Sequence, residues 1–216
     1  MRFDVITLFP EIIDAYATAS ILGRAQKAKT ITVKAHQLRD HSKHKWSQVD
    51  FRPYGGGPGM VLEAESVVRA VEKAKKKGAK VKVIMTSAGG KPFTNAYAKT
   101  LAKKYNQVII IAGRYEGVDA RAAKILKAEE VSIGGYVLTG GEVPALAIID
   151  ATARQIPGVL GKLESLEETR IASHDVYTRP EIFTHKTKKY RVPKVLLSGH
   201  QAKINEWKNK RRNKVD

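Results

Sequence analysis

Three glycine-bearing segments hold the residues best placed to do chemistry: TSAGG at 86–90, AGRYEG at 112–117 and SIGGYVLTGGEVP at 132–144. Each follows a short apolar or β-branched run that reads as a strand: VKVIM at 81–85, VIIIA at 108–112 and VSI at 131–133. In open α/β sheets, ligands bind beyond the carboxyl ends of the strands. Glycines there let backbone N–H and C=O groups approach a planar ligand closely. One such loop is commonly an ordinary turn, whereas three at equivalent strand ends point to a shared, nucleotide-like pocket. The familiar phosphate signatures are absent. Gly55, Gly57 and Gly59 miss the dinucleotide spacing and follow a loop, and Gly89-Gly90-Lys91 lacks the upstream glycine of a P-loop. With no cysteine and no H-E-x-x-H spacing among six histidines, thiol chemistry is excluded and no metal site is expected.

The elements that position these loops alternate between strand and helix. FDVITL at 3–8 reads as a strand, 11–28 as one helix and 31–35 as a second strand. Helices are expected at 63–77, at 95–104 behind a Thr94 N-cap, near 118–127 and at 143–155. VIIIA has the composition of a strand buried on both faces. The alternation predicts an α/β layer fold with a mainly parallel sheet. A polar stretch, 162–176, is expected to be a flexible linker after a domain spanning 1–161. Residues 177–216 then read as a small, basic, helical domain, with a helix from about Gln201 and Ser198 as its cap.

Charge adds a partner. Thirty-nine Lys and Arg against 21 Asp and Glu give a net +18, and residues 184–216 alone, with eleven Lys/Arg and two acids, carry half of that excess. Such a balance fits a polyanion, nucleic acid before membrane. No apolar run approaches the roughly 20 residues of a membrane span. The N-terminal MRFDVITLFPEII lacks the pattern of a signal peptide, so a cytoplasmic location is expected.

MRFDVITLFPEI, RPYGGGPGM, AGRYEGVDAR, the long block EVSIGGYVLTGGEVPALAIIDATARQIPGVLG, YTRPEIF and VPKVLLSGH resemble, in the same order and at similar spacing, bacterial tRNA (guanine-N1)-methyltransferases of the TrmD type, within the SPOUT class. The resemblance spans nearly the whole chain. It implies a C-terminal trefoil knot in the α/β domain, a homodimer with the active site shared across its interface, S-adenosylmethionine as methyl donor, and methylation of N1 of guanosine 37 in tRNA. A Mg²⁺ requirement is not read from these residues.

Carried over by position, the donor site consists of Thr86, Ser87 and Ala88, then Gly113, Tyr115 and Glu116, then Ile133, Gly134, Gly135, Tyr136, Val137 and Leu138, with Gly140, Gly141 and Pro144. A Cβ at Gly113 or Gly141 is expected to crowd the ligand. Arg154 is expected to hydrogen-bond guanine O6, where charge gathers as N1 loses its proton. N1–H is weakly acidic, so a carboxylate base is needed. The family carries an Asp after a Glu pair. Here Glu167-Glu168 is followed by Thr169, which leaves Glu168, favoured for its position, or Asp175 as the base. Gly135 and Phe51 also stand where relatives often carry an acid. A catalytically impaired RNA-binding relative and a SPOUT enzyme acting on ribosomal RNA are the alternatives.

For tRNA phosphates, Arg24, Lys27, Lys43, Lys45 and Arg52 are expected contacts in the first domain. Lys186, Lys188, Lys189, Arg191, Lys208, Lys210, Arg211 and Arg212 are expected in the second. Trp46 and Trp207 are expected to pack, with base stacking as the other reading.

Overall fold

A computed structural model describes residues 1–160 and 175–210. The chain divides into two compact units, Met1–Gly161 and Lys162–Asp216.

In the first unit, β1 (Arg2–Thr7) leads into helices α1 (Pro10–Ala17) and α2 (Ser20–Lys27), then β2 (Thr32–Gln37). A short antiparallel pair, β3 (Asp50–Phe51) and β4 (Val61–Leu62), brackets the glycine-rich loop. Next come α3 (Ala64–Ala74), β5 (Val81–Pro92), α4 (Asn95–Lys104), β6 (Gln107–Ile111), α5 (Ala120–Leu126), β7 (Glu129–Ser132) and α6 (Glu142–Ala153). Five strands form one parallel sheet in the order β2-β1-β6-β5-β7. The strand β6 is central and buried at all five positions. Its alternation divides the core: Val108 and Ile110 pack with the faces of α1, α2, α4 and α6, while Ile109 and Ile111 pack with α3 and α5. Each such side chain contributes about 1.5–3 kcal/mol by leaving water.

The one charge at the centre of this sheet is accounted for. Asp4 is fully buried and accepts bonds from Arg2, His36 and Gln107 at 2.6–2.8 Å. Burial opposes ionisation, but these donors outweigh it and hold the carboxyl below its ordinary range. The expected Thr94 cap forms, its hydroxyl accepting the Tyr97 N–H at 3.2 Å.

Two local expectations fail. The helix expected over 11–28 is two helices, because Thr18 closes the first by bonding Asp14 O and Ser20 turns into the left-handed region at φ 46°. Gly23 then packs so tightly on the Thr18 carbonyl that a Cβ would lie 2.1 Å from it. The strand expected to end at Met85 runs on to Pro92, with Thr86 and Lys91 both opposite Val131, so TSAGG is an excursion within one strand.

The second unit is not purely helical. Strands β8 (Ile182–His185) and β9 (Lys188–Arg191) form an antiparallel hairpin before the helices α7 (Lys194–Leu197) and α8 (Gln201–Lys210). The turn places Lys186 at φ 53°, a position glycine or asparagine usually takes, so no residue signals it. The expected linker falls on 162–176, of which 162–174 lie outside the described residues. Among the described residues, no helix is long and apolar enough to cross a membrane.

Candidate active site

The carboxyl ends of β5, β6 and β7 open on one cleft of about 430 Å³, within the size of small-ligand sites. Its walls include Thr86, Ser87 and Ala88 from the β5 excursion, Gly113, Tyr115 and Glu116 after β6, and Ile133, Gly134, Tyr136, Val137, Leu138, Gly140, Gly141 and Pro144 after β7. Gly135 is exposed and outside this lining. Ile133, Leu138 and Pro144 offer apolar surface. Among the described residues, the amides of Tyr136, Leu138 and Gly140 have no intramolecular acceptor. Apolar walls with free backbone donors suit a flat, hydrogen-bonding heterocycle.

The third loop is drawn tightly over the other two. Gly141 donates to Gly113 O at 2.8 Å, and Thr86 Oγ1 bonds Ile111 O at 3.2 Å and the Gly113 N–H at 3.4 Å. A Cβ on Gly141 would meet Thr86 Oγ1 at 2.2 Å and the Gly113 nitrogen at 2.6 Å. At Gly141 a Cβ would therefore crowd the protein itself. Gly113 is different, since a Cβ there would have only ordinary contacts at 3.6 and 3.8 Å.

A charged clamp, unforeseen in the sequence, fixes these loops. Glu142, at the start of α6 and buried, accepts from Thr7 Oγ1 at 2.7 Å and pairs with Arg114 at 2.9 Å. Arg114 also donates to Thr139 O at 3.2 Å and lies 4.5 Å from the centre of the Phe9 ring. The ion pair runs from Arg114 Nη2 to Glu142 Oε2 without forming a hydrogen bond, and Arg114 Nε and Glu142 Oε2 are each buried without a hydrogen-bond partner among the described residues. Arg114 lines the cleft, so a ligand's acceptor can reach it. The signal was present: both charges sit inside otherwise glycine-rich and apolar motifs.

The second loop is held from outside by the glycine-rich segment. Glu116 N–H donates to Met60 O and Leu62 N–H to Gly117 O, both at 3.0 Å. Gly59, at φ 80°, leaves room for the Glu116 carboxylate, 2.5 Å from where a Cβ would sit. Burial, then a hydrogen bond and the negative charge from Asp50, raise the Tyr115 hydroxyl above its ordinary pKa.

Of the residues expected to act on guanine, the first unit contains Arg154. Arg154 caps the end of α6, half-buried and outside the cleft lining. Glu168 and Thr169 lie outside the described residues, and Asp175 belongs to the second unit. Phe51 packs edge-on against His44 at 5.0 Å. Trp207 meets Tyr177 at 6.2 Å, whereas Trp46 is 87% exposed, which overturns the expectation that it packs. Of the expected phosphate contacts, Lys43 pairs with Glu65 and Lys45 lies over Trp46; Arg211 and Arg212 are outside the described residues.

A parallel α/β sheet with glycine loops converging beyond its carboxyl edge defines a small-ligand-binding α/β domain. Comparison with known proteins narrows that class. Residues 1–215 match the family tRNA (Guanine-1)-methyltransferase TrmD. A tRNA (guanine-N(1)-)-methyltransferase of Desulforamulus reducens is 43% identical over 216 residues, covering 97% of this chain and 83% of the relative. That of Porphyromonas gingivalis ATCC 33277 is 44% identical over 212 residues, covering 96% and 92%. That of Dictyoglomus turgidum is 42% identical over 214 residues, covering 97% and 84%. The chain belongs to the TrmD family of tRNA (guanine-1)-methyltransferases, enzymes that use a methyl donor and tRNA.

Proposed function

We propose that the protein transfers the methyl group of S-adenosylmethionine to N1 of guanosine 37 in tRNA, beside the anticodon, as a cytoplasmic homodimer. The observation that carries this is the convergence of the three loops on one cleft, in a chain 42–44% identical to enzymes named for guanine-N1 methylation. When bound, S-adenosylmethionine supplies an electrophilic methyl group. Ile133, Leu138 and Pro144 would pack its adenine, and the amides of Tyr136, Leu138 and Gly140 would hydrogen-bond the heterocycle and ribose.

The protein's remaining task is to take the proton from N1 and stabilise the charge left on O6. A guanidinium does the second, and we assign it to Arg154. Because Arg154 stands outside its own protomer's cleft, it serves the cleft of the second copy. Exposed Tyr136, Val137, Leu138 and Val143 offer apolar surface for that copy. The first task needs a carboxylate, which the threonine at 169 cannot supply, so Glu168 is assigned the role ahead of Asp175. We also read the chain from β5 to α6 as a trefoil knot. The meeting of Thr86, Gly113 and Gly141, on three separate passes of the chain, supports that threading.

The test is methyl transfer from labelled donor to an unmodified tRNA transcript, followed by mapping of the methylated base. Label at N1 of guanosine 37 is expected. Thr169 gives the impaired-relative reading its one support, and binding of tRNA without transfer would establish that reading instead. Label in ribosomal RNA alone would move the substrate.

A further inference from the structure

Between Asp40 and Asp50 the chain holds an indole in water. Trp46 is 87% exposed, yet the segment carrying it is well tied. Ser47 N–H donates to His44 O at 3.2 Å, His44 N–H to Ser42 Oγ at 3.0 Å, and Arg39 to Ser47 O at 3.4 Å. The His44 ring pairs with Glu63 at 2.9 Å, and Lys43 with Glu65. The backbone is strained at the tip: Trp46 and Ser47 adopt φ 65° and 54°, left-handed conformations that side-chain-bearing residues avoid. A flexible loop would relax that strain, whereas this one holds the ring outward. Among the described residues, the ring's partner is the Lys45 ammonium, 5.3 Å from its centroid.

We propose that Trp46 is a stacking platform for an unpaired nucleobase of the tRNA, positioning the strand that enters the cleft. The proposal rests on tRNA as the substrate. An aromatic face accepts any base, and Lys45 on the indole supplies the adjoining cation for a phosphate. Arg39 and Arg52 add positive charge along the same segment. Reach also fits: Trp46 is four residues from Asp50, which pairs across β3 and β4 with Leu62, whose N–H bonds Gly117 O in the cleft wall at 3.0 Å. Four residues span no more than about 14 Å, a distance that a few nucleotides bridge.

The test combines tRNA-binding titration with steady-state methylation for wild type, Trp46→Ala and Trp46→Phe. Trp46→Ala is expected to weaken tRNA binding and raise KM for tRNA roughly 5- to 100-fold, with donor affinity and kcat at saturating tRNA retained. Trp46→Phe keeps a stacking face and recovers most of the loss. Indole fluorescence should be quenched by tRNA in wild type and much less in Trp46→Phe. Wild-type KM in the alanine variant, or a phenylalanine variant as impaired as alanine, overturns the proposal. So does a change in sedimentation on mutating Trp46, which would assign the indole to contact between protomers. Absence of methyl transfer by wild type would fail the enzymatic reading alone, since quenching and binding still report stacking.

Discussion

Gly113 and Gly141 both line the cleft, yet substitution at each should fail in a different way. At Gly141 an added Cβ would lie 2.2 Å from Thr86 Oγ1, 2.6 Å from the Gly113 nitrogen and 2.7 Å from Ala112 Cα. Carbon contacts are comfortable near 3.5–4.0 Å, so the loops must part by about 1 Å. Overpacking of that kind costs about 1–3 kcal/mol. Parting also strains the 2.8 Å bond from Gly141 to Gly113 O, about 1 kcal/mol more. Gly141→Ala is therefore expected to lose about 2–4 kcal/mol, a fall in Tm of roughly 5–15 °C for a chain of this size. At Gly113 the added Cβ meets nothing closer than 3.6 Å, and the backbone is outside the left-handed region. Gly113→Ala should keep or slightly raise Tm, while its methyl group occupies cleft space and weakens donor binding about tenfold, or 1.4 kcal/mol. Thermal melts at one protein concentration and calorimetry with S-adenosylmethionine separate the two effects. An unchanged Tm for Gly141→Ala would refute the packing argument. An unchanged donor Kd in a folded Gly113→Ala would remove the second loop from the donor site.

Single-turnover methylation with saturating donor should fall at least 100-fold in Glu168→Gln, the usual cost of losing a general base, and clearly less in Asp175→Asn; near-normal rates in both and in the double variant would exclude a carboxylate from this stretch. Deleting residues 184–216 should weaken tRNA binding and flatten its salt dependence by roughly 0.7–0.9 log units per lost phosphate contact, with donor binding intact; an unchanged slope would give that charge another purpose. Burial would raise the Glu129 carboxyl, but Lys82 at 2.5 Å, Tyr97 at 2.7 Å and Lys91 at 3.3 Å outweigh it and hold its pKa at about 2, against 4.5 unfolded. Its stabilisation is complete above about pH 4.5 and is lost as pH falls towards 2, so Glu129→Gln should be less stable at neutral pH by about 2–3 kcal/mol and show a flatter acid limb in urea melts; parallel pH profiles would contradict this.

What was legible in the chain followed from side chains that have one place to go. VIII at 108–111 can only be a strand buried on both faces, and it is the sheet's centre. Thr94 precedes a helical run and caps it. Illegible elements turn on backbone conformations that no residue type announces. The break after Ala17 occurs at Thr18-Ala19-Ser20, without Pro or Gly, and is enforced by what Gly23 packs against. The hairpin of the second unit turns on a lysine. The excursion in β5 depends on which residues of β7 lie opposite, a fact of pairing and not of local sequence.

The cleft shows the same division at closer range. Glycines after three strands announced the loops, because a bare backbone is visible as a residue type. They did not announce at which glycine a Cβ would find room and at which it would meet protein. That distinction depends on how the third loop crosses the other two, and it separates Gly113 from Gly141 although each lines the same cavity. The clamp lies further from local reading, since Thr7 and Glu142 are 135 residues apart. Once they meet, the roles follow from electrostatics. A carboxylate buried at a helix start is stabilised by the N–H groups there. Pairing with Arg114 then ties the second loop to the beginning of α6, and Thr7 ties both to β1. The cleft's shape is thus set by a polar contact spanning most of the first unit. It follows that Glu142→Gln, which keeps the Thr7 bond but removes the charge opposite Arg114, should loosen the loops before it unfolds the sheet, and donor affinity should fall further than Tm.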